Sequence, residues 1–155
     1  MRKSKPKKRN VAGDYVYNDP RITKFINALM LQGKKSIAAK IFYGALQKVE
    51  ESSEDKGYDI WHKAMENVMP LVEVRSRRIG GSNFQIPAEI RQERREFLAR
   101  KWLIRFARER KEKSMINNLA QELLAASRGE GLAVKRKTDT HKMAESNKAF
   151  SHFRV

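Results

Sequence analysis

The chain has 155 residues, of which 40% are hydrophobic and 34% charged, a balance that supports a folded domain and excludes a wholly disordered chain. Its 34 lysines and arginines outnumber 18 aspartates and glutamates, and the net charge of +16 indicates a polyanionic partner: nucleic acid, an anionic membrane surface or an acidic protein. No apolar run is long enough to span a bilayer, and the lack of cysteine excludes disulfides and thiolate metal sites, which favours the cytoplasm.

The first ten residues form a distinct basic segment. Six of them are basic and none is acidic: Arg2, Lys3, Lys5, Lys7, Lys8 and Arg9. Because the segment has no apolar periodicity, we expect residues 1–10 to be a basic arm that is disordered in water without a partner. Residues 11–155 are expected to form a single helical domain.

Three amphipathic helices are expected before residue 70. Asp19 followed by Pro20 is typical of an N-cap and a first helical position, and Gly33 is a natural stop. Ser36 is expected to cap the second helix and Asp59 to open the third, with a polar loop at 50–57 between them. The side chains at helical spacing, expected to face the core, are Ile22, Phe25, Ile26, Leu29 and Met30; Ile37, Ile41, Ala45, Leu46 and Val49; and Ile60, Trp61, Ala64, Met65 and Val68.

The hydrophobic period changes after Pro70, which ends the third helix. Residues 72–77 alternate between apolar or small side chains and charged ones, which is the two-residue repeat of a strand. A turn is expected at 80–83, and the extended pattern resumes at 84–86 before Pro87. The sequence therefore predicts a β-hairpin at about 72–87. Two strands alone are marginal in water, so the hairpin should project as an arm that is steadied by packing at its base or by a partner.

Three more helices are expected after the hairpin. The first should run from about 89 to 113, and Ser114 should cap the second, which Gly129 and Gly131 break. A basic linker at 135–137 should lead to the last helix, at about 138–150. The expected core positions are Phe97, Leu98, Trp102, Leu103 and Phe106; Ile116, Leu119, Ala120, Leu123 and Leu124; and Met143, Asn147 and Phe150. The predicted fold class is mainly α, a six-helix bundle with one projecting β-hairpin arm.

The sequence contains no catalytic constellation. Residues 33–36 read Gly-Lys-Lys-Ser, but a phosphate-binding loop would need glycine at position 28, which is Ala28, and should follow a strand. The acidic residues at 50–55 lack a metal-ligand pattern, and the three histidines lie far apart. We therefore predict that the protein is not an enzyme and holds no metal or cofactor.

Basic clusters are the stronger signal, and each has two interpretations. The hairpin carries Arg75, Arg77 and Arg78 beside Gly80 and Gly81. Charge on an edge strand often only prevents aggregation, but three arginines on a short arm exceed that need, and the guanidinium fork suits phosphate. Residues 91–113 include ten basic residues and four acidic ones. Ion pairs along a helix can neutralise only part of this positive charge, so the cluster is expected to contact phosphate.

Aromatic side chains could stack on bases, but most have a simpler role. The helical stripes that contain Trp61 and Trp102 favour core packing for both. Tyr15 and Tyr17, just after the basic arm, are better stacking candidates because they belong to no stripe.

Four stretches of the chain carry a strong resemblance to a known family. They contain KFIN at 24–27 and GKKS at 33–36; ENV at 66–68, VEVRSRRIGGS at 72–82 and QIP at 85–87; KSM at 113–115; and AVK at 133–135, HKMAE at 141–145 and NKAF at 147–150. In content and order they resemble the bacterial form of small-subunit ribosomal protein seven, and they span nearly the whole chain.

The resemblance implies a structural constituent of the small ribosomal subunit, located on the cytoplasmic ribosome. It would be a primary binder of the 3′ major domain of small-subunit ribosomal RNA that nucleates assembly of the subunit head. It would line the path of exit-site transfer RNA and messenger RNA beside neighbouring proteins of the head and platform. No membrane partner is implied.

The family's contacts carry over to three groups of residues. Ribosomal RNA would be bound by the basic residues of the arm at 2–9 and by Lys34, Lys35, Arg91, Arg94, Arg95 and Lys113. The hairpin arm, with Arg75, Arg77, Arg78, Gly80 and Gly81, would lie near transfer and messenger RNA. Contacts to RNA or a neighbouring protein would come from Lys135, Lys137, His141, Lys142 and Lys148. Glu93 and Glu96 depart from the more basic family pattern and put the contacts of Arg94 and Arg95 in doubt.

Two alternatives follow from composition alone. An architectural DNA-binding protein could use the same helices and ribbon, and would prefer duplex DNA. An RNA-modifying enzyme would need a catalytic group that the sequence does not offer.

Overall fold

A computed structural model describes residues 9–153. Its helices are α1 (Pro20–Leu29), α2 (Lys35–Glu51), α3 (Gly57–Val68), α4 (Gln92–Glu109), α5 (Met115–Ser127) and α6 (Gly131–Ser146). Strands β1 (Val72–Ile79) and β2 (Ser82–Glu89) separate α3 from α4, and a short 3₁₀ helix (Lys148–Phe153) follows α6. This confirms the predicted class, six helices with one β-hairpin, over the described range. The predicted arm at 1–10 lies almost wholly outside that range and stays a prediction.

The core is built around α5, which packs against α2, α3, α4 and α6. Its Leu119 and Leu123 are fully buried, as predicted. Beside them, Phe25, Phe42 and Trp61 form an aromatic cluster with ring centroids 5.2 to 6.1 Å apart. Each buried side chain of this size contributes about 1.5–3 kcal/mol by leaving water. The prediction that Trp61 belongs to the core is confirmed.

Two predicted helix starts are confirmed and two are wrong. The Asp19 carboxylate caps α1 by accepting from the backbone N–H of Arg21 (2.8 Å), and Ser114 caps α5. Ser36 does not cap α2, because that helix already begins at Lys35. Nor does Asp59 open α3, which begins at Gly57. A Cβ at that position would lie 2.6 Å from a carbonyl oxygen of α2, so glycine is required for the start of α3 to pack this closely, and the Gly57 N–H donates to the Glu50 carboxylate (2.8 Å).

The hairpin is longer than predicted and its turn is tighter. Strand β2 continues through Pro87, which pairs with Val74. A proline can occupy a strand of a two-stranded sheet where its nitrogen faces away from the partner strand, and this is why Pro87 does not end the strand. The turn is only Gly80 and Gly81, whose φ values of +56° and +88° favour glycine at both positions.

The later helices differ from prediction at their ends. Helix α4 runs from 92 to 109 and not from about 89 to 113. Residue 89 belongs to β2, and hydrogen bonds to Asn118 fix the segment after the helix in a non-helical conformation. The Asn118 amide donates to the Arg110 carbonyl (3.0 Å) and its oxygen accepts from the Glu112 N–H (3.0 Å). Residues 135–137 belong to α6, so the predicted linker is wrong, as is the single last helix at 138–150.

Several side chains that were predicted to face the core are exposed instead, because the buried face of their helix is displaced by about one residue from the predicted one. Ile37, Phe97 and Met143 are 53%, 41% and 37% exposed. Small side chains face the core in their place, since Ala38 on α2 and Ala99 on α4 are buried. Closely packed helices leave room only for alanine at these points. A prediction based on the spacing of large apolar residues therefore misses these buried alanines.

A buried carboxylate in the middle of α5 bridges two other parts of the chain. Glu122 of α5 is fully buried, accepts from Arg110 at 2.7 Å, and accepts from the Ala133 N–H at 3.2 Å. It thereby connects the segment after α4 to the start of α6. Arg110 is therefore already paired inside the chain. In the part of the chain that the structure describes, no helix is long and apolar enough to cross a membrane.

Candidate nucleic-acid interface

The hairpin carries arginines on both of its faces. In the register of the strands, Arg75 and Arg77 share one face with their partners Ile86 and Phe84, whereas Arg78 lies on the other face. All three arginines are exposed. The arm can therefore meet phosphate from either side near its tip.

The base of the arm is fixed by an acidic residue between two arginines. Glu73 is only 12% exposed; its carboxylate lies 2.6 Å from Arg75 and 3.3 Å from the Nε of Arg94 on α4. The guanidinium of Arg94 also lies over the Phe97 ring, 5.1 Å from its centroid. The sequence raised doubt about Arg94 because of Glu93 and Glu96, but in the structure its carboxylate partner is Glu73, across the hairpin base.

A second set of contacts holds the segment 67–71, which leads from α3 into β1. The Arg95 Nε donates to the Pro70 carbonyl (3.1 Å), and the Lys137 Nζ donates to the Asn67 carbonyl (2.7 Å). The His141 Nε2 accepts from the backbone N–H of Leu71 (3.1 Å). We call Arg95, Lys137 and His141 the hinge clamp.

The hinge clamp is electrostatically unusual because three basic groups lie close together. Burial, followed by the charge of Arg95, lowers the pKa of Lys137. Burial, followed by the charges of Lys137 and Arg95, lowers the pKa of His141. A neutral His141 is the form that can accept the Leu71 hydrogen bond. The resemblance assigns Arg95 to a contact with ribosomal RNA, and Lys137 and His141 to contacts with RNA or a neighbouring protein. In the structure all three bond the segment that leads into the arm.

The turn between α1 and α2 presents a different kind of basic site. Lys34 and Lys35 are exposed, and the N-terminus of α2 has neither a side-chain cap nor an acidic residue in its first turn. Free N–H groups at a helix start attract anions, and the two lysines add to that field. The geometry suits the phosphate contact that the resemblance implies.

The other predicted contacts lie on the surface but do not converge on one point. Arg91 precedes α4, Lys113 precedes α5, and Lys135 and Lys142 are on α6. The exposed members of this group are Arg9, Arg91, Lys113, Lys135, Lys142 and Lys148. The predicted contacts at positions 2, 3, 5, 7 and 8 lie outside the described residues.

The sequence missed the residue that fixes the segment after the basic arm. The nearly buried Asp14 accepts hydrogen bonds from the N–H groups of Val16, Tyr17 and Asp19 and from the Tyr43 hydroxyl (2.8 Å). Burial opposes ionisation of Asp14, but these bonds outweigh it and hold its pKa below the ordinary value. An aspartate that accepts from the next two or three N–H groups is a recognisable turn signal.

The two tyrosines after the arm differ in the structure. Tyr15 is 85% exposed and makes an edge contact with the ring of Tyr43, with centroids 5.5 Å apart. Tyr17 already stacks on Tyr58, with ring centroids 4.9 Å apart. The described residues 9–153 contain no group of three side chains that could hold a metal ion.

Comparison with known proteins decides the family. The model of the family described as ribosomal protein S7p/S5e matches residues 1–148. The chain belongs to this family. It is 55% identical over 154 residues to the small ribosomal subunit protein uS7 of Cytophaga hutchinsonii, covering 99% of both chains. The uS7 proteins of Christiangramia forsetii and Gemmatimonas aurantiaca are 56% and 54% identical, and the matches cover 99% and 95% of this chain.

Membership of the S7p/S5e family confirms the resemblance that the four stretches indicate. It makes the chain a structural constituent of the small ribosomal subunit and not an enzyme. It also confirms the expected location on the ribosome and the binding of ribosomal RNA and other ribosomal proteins.

Proposed function

We propose that this protein is a primary binder of the 3′ major domain of small-subunit ribosomal RNA. It nucleates assembly of the subunit head, and its hairpin arm lines the path of exit-site transfer RNA and messenger RNA. The observation that carries the proposal is the arm itself: a ribbon with exposed arginines on both faces and a base fixed by Glu73 and the hinge clamp.

A fixed base supports the proposal because a flexible basic ribbon would lose conformational entropy on binding. Contacts from α4 and α6 to the segment 67–71 have already ordered the start of the arm. Arg75, Arg77 and Arg78 are then presented to RNA by a scaffold that needs little rearrangement. Such preorganisation increases affinity without adding contacts.

The proposed contacts divide into three regions. Residues 1–10 form a basic arm that follows the ribosomal RNA backbone, joined to one helical domain at 11–155. Lys34 and Lys35 at the start of α2 bind phosphate at a junction of RNA helices, and Arg91 and Lys113 bind ribosomal RNA at separate points of the surface. Lys135, Lys142 and Lys148 meet RNA or a neighbouring protein of the head and platform. Arg94, Arg95, Lys137 and His141 act mainly by positioning the arm.

RNA footprinting with the full-length protein tests the arm. We expect Arg75→Ala, Arg77→Ala and Arg78→Ala together to remove protection at one site on the RNA and to leave the rest, because the bundle contacts are unchanged. A matched control removes three exposed basic residues elsewhere, by Lys56→Ala, Lys63→Ala and Arg128→Ala. An unchanged footprint in the arm variant would contradict its role and move the affinity to the bundle and to residues 1–10.

A further inference from the structure

Asn67, near the end of α3, is an uncharged residue that the contacts implied by the resemblance do not include. Its side chain is partly buried, and its Nδ2 donates to two carbonyl oxygens at the end of α5, those of Ala126 (2.9 Å) and Ser127 (3.0 Å). An amide NH₂ has two hydrogens, one for each of these bonds. The last carbonyls of a helix have no partner within the helix, so Asn67 supplies a partner from outside α5.

The main chain of the same residue is held by α6. The Lys137 Nζ donates to the Asn67 carbonyl at 2.7 Å. Asn67 therefore joins α5 and α6 to α3 shortly before β1, which begins at Val72. The other two bonds of the hinge clamp lie further along the segment 67–71. Asn67 adds to them an attachment to α5, the helix around which the core is built.

The direction of the arm is sensitive to a small movement at this attachment. Strand β1 has 8 residues, and at about 3.3 Å per residue an arm of this length extends about 26 Å from its base. A rotation of about 10° at the base would then move the tip by about 4 Å, more than a hydrogen bond to phosphate tolerates. A contact at the base can therefore decide whether the arginines of the arm reach their RNA partners.

We propose that Asn67 is a positioning residue for the hairpin arm. Its side chain ties the start of the arm to the end of α5 and sets the direction in which Arg75, Arg77 and Arg78 meet RNA. The inference rests on the proposed function and deepens it. It adds an uncharged residue, whose amide is bonded within the chain, on which the RNA contacts of the arm depend.

Asparagine suits this position because it offers two donors on a short side chain without a charge. Leucine has a similar volume but no donor, so Asn67→Leu removes both hydrogen bonds and largely keeps the packing. Glutamine keeps the amide on a stem that is longer by one carbon. Asn67→Gln should therefore restore part of the contact.

RNA footprinting with the full-length protein, at concentrations that saturate the RNA, tests the inference. The reference is the triple arm variant, which combines Arg75→Ala, Arg77→Ala and Arg78→Ala. We expect Asn67→Leu to weaken protection at the site that the triple arm variant leaves unprotected, and to retain the rest. Its affinity should fall about tenfold, which corresponds to the loss of one or two net hydrogen bonds. Asn67→Gln should recover part of both.

Asn118→Leu is the matched control for a general loss of stability. Asn118 also holds the end of a helix, by its bonds to Arg110 and Glu112 between α4 and α5. Because Asn118 is only 7% exposed, its variant should lower the melting temperature at least as much as Asn67→Leu. It should nevertheless show no selective loss of protection at the arm site.

Combining Asn67→Leu with the triple arm variant separates positioning from a merely structural role. A residue that acts through the arm should have no further effect on RNA affinity once the three arginines are removed. Equal losses of affinity with and without the arginines would overturn the inference. So would protection of the arm site by Asn67→Leu that is as strong as in the original protein.

Amide hydrogen exchange of the free protein tests the positioning without RNA. We expect Asn67→Leu to speed exchange in β1 and β2, and Asn118→Leu to leave it unchanged. Unchanged exchange in Asn67→Leu contradicts the positioning role by itself. Failure of the triple arm variant to change the footprint would instead contradict the proposed function.

Discussion

Arg95, Lys137 and His141 show how a basic residue near RNA can have its main partner inside the protein. Each bonds a backbone group of the segment 67–71 that the change from helix to strand leaves without a partner. The bonds of Arg95 and Lys137 are partly buried, whereas the Leu71 N–H that His141 accepts from is exposed and can bond to water instead. The penalty of about 1–3 kcal/mol for a fully buried group without a partner is therefore an upper bound here. The charge of these residues is evident in the sequence. Their partners lie 25 to 70 positions away, and only the packing of α4 and α6 against this segment identifies them.

The His141 hydrogen bond should make stability depend on pH. Burial and the charges of Lys137 and Arg95 lower the pKa of His141 from its ordinary 6.5, so the unfolded chain binds this proton more readily than the folded one. The neutral imidazole therefore stabilises the fold above about pH 6.5, and this contribution is lost as the pH falls toward the lowered pKa. Denaturant titration at about pH 7.5 and about pH 5.5 should show the loss.

His141→Gln is the matched variant for this measurement. Its side-chain oxygen can still accept from the Leu71 N–H but does not titrate. We expect the difference in unfolding free energy between the original protein and the variant to shrink at the lower pH. An equal difference at both values would show that the imidazole does not change protonation in this range.

At the scale of elements, local patterns identify what the elements are, and packing decides where they end. The hairpin follows from the two-residue period after Pro70, and α1 and α5 follow from their capping side chains. At the start of α3, Gly57 approaches α2 closely and donates its N–H to Glu50, a contact that the sequence pattern does not show. The three basic residues at 135–137 resemble a linker in the sequence, but they belong to helix α6. The buried side of this helix is formed by small residues such as Ala133 and Ala144.

The two-glycine turn should control the arm separately from the bundle. Gly81 has a φ of +88°, and alanine there costs about 1 kcal/mol because its Cβ disfavours positive φ. We expect Gly81→Ala to speed amide hydrogen exchange in β1 and β2 and to leave α5 unchanged. Gly80→Asn is the control, since asparagine before glycine suits the first position of this turn. Equal exchange in the two variants would contradict the interpretation of the turn.

For the whole molecule, net charge predicts the class of partner but not which cations meet it. Of the charge of +16, the structure shows parts already paired within the chain, such as Arg110 with the buried Glu122 and Arg94 with Glu73. The sequence could identify the family and the arm. The paired cations depend on side chains that meet only in the folded chain, so no spacing rule reveals them.

Salt titration tests the charge argument for the whole protein. If six to ten phosphates are neutralised, affinity for folded ribosomal RNA should fall about a thousandfold or more between about 50 and 200 mM salt. The same titration against duplex DNA of similar length should give weaker binding at every salt concentration. Equal affinity for the duplex would instead favour an architectural DNA-binding protein.

The contact between Phe84 of β2 and Phe150 of the 3₁₀ helix, with ring centroids 5.2 Å apart, has a consequence for biosynthesis. A chain is made from its N-terminus, so the arm is synthesised more than sixty residues before the ring that supports it. A nascent chain therefore carries an arm that lacks this support until its last helix has left the exit tunnel. A product truncated before Phe150 therefore lacks this contact.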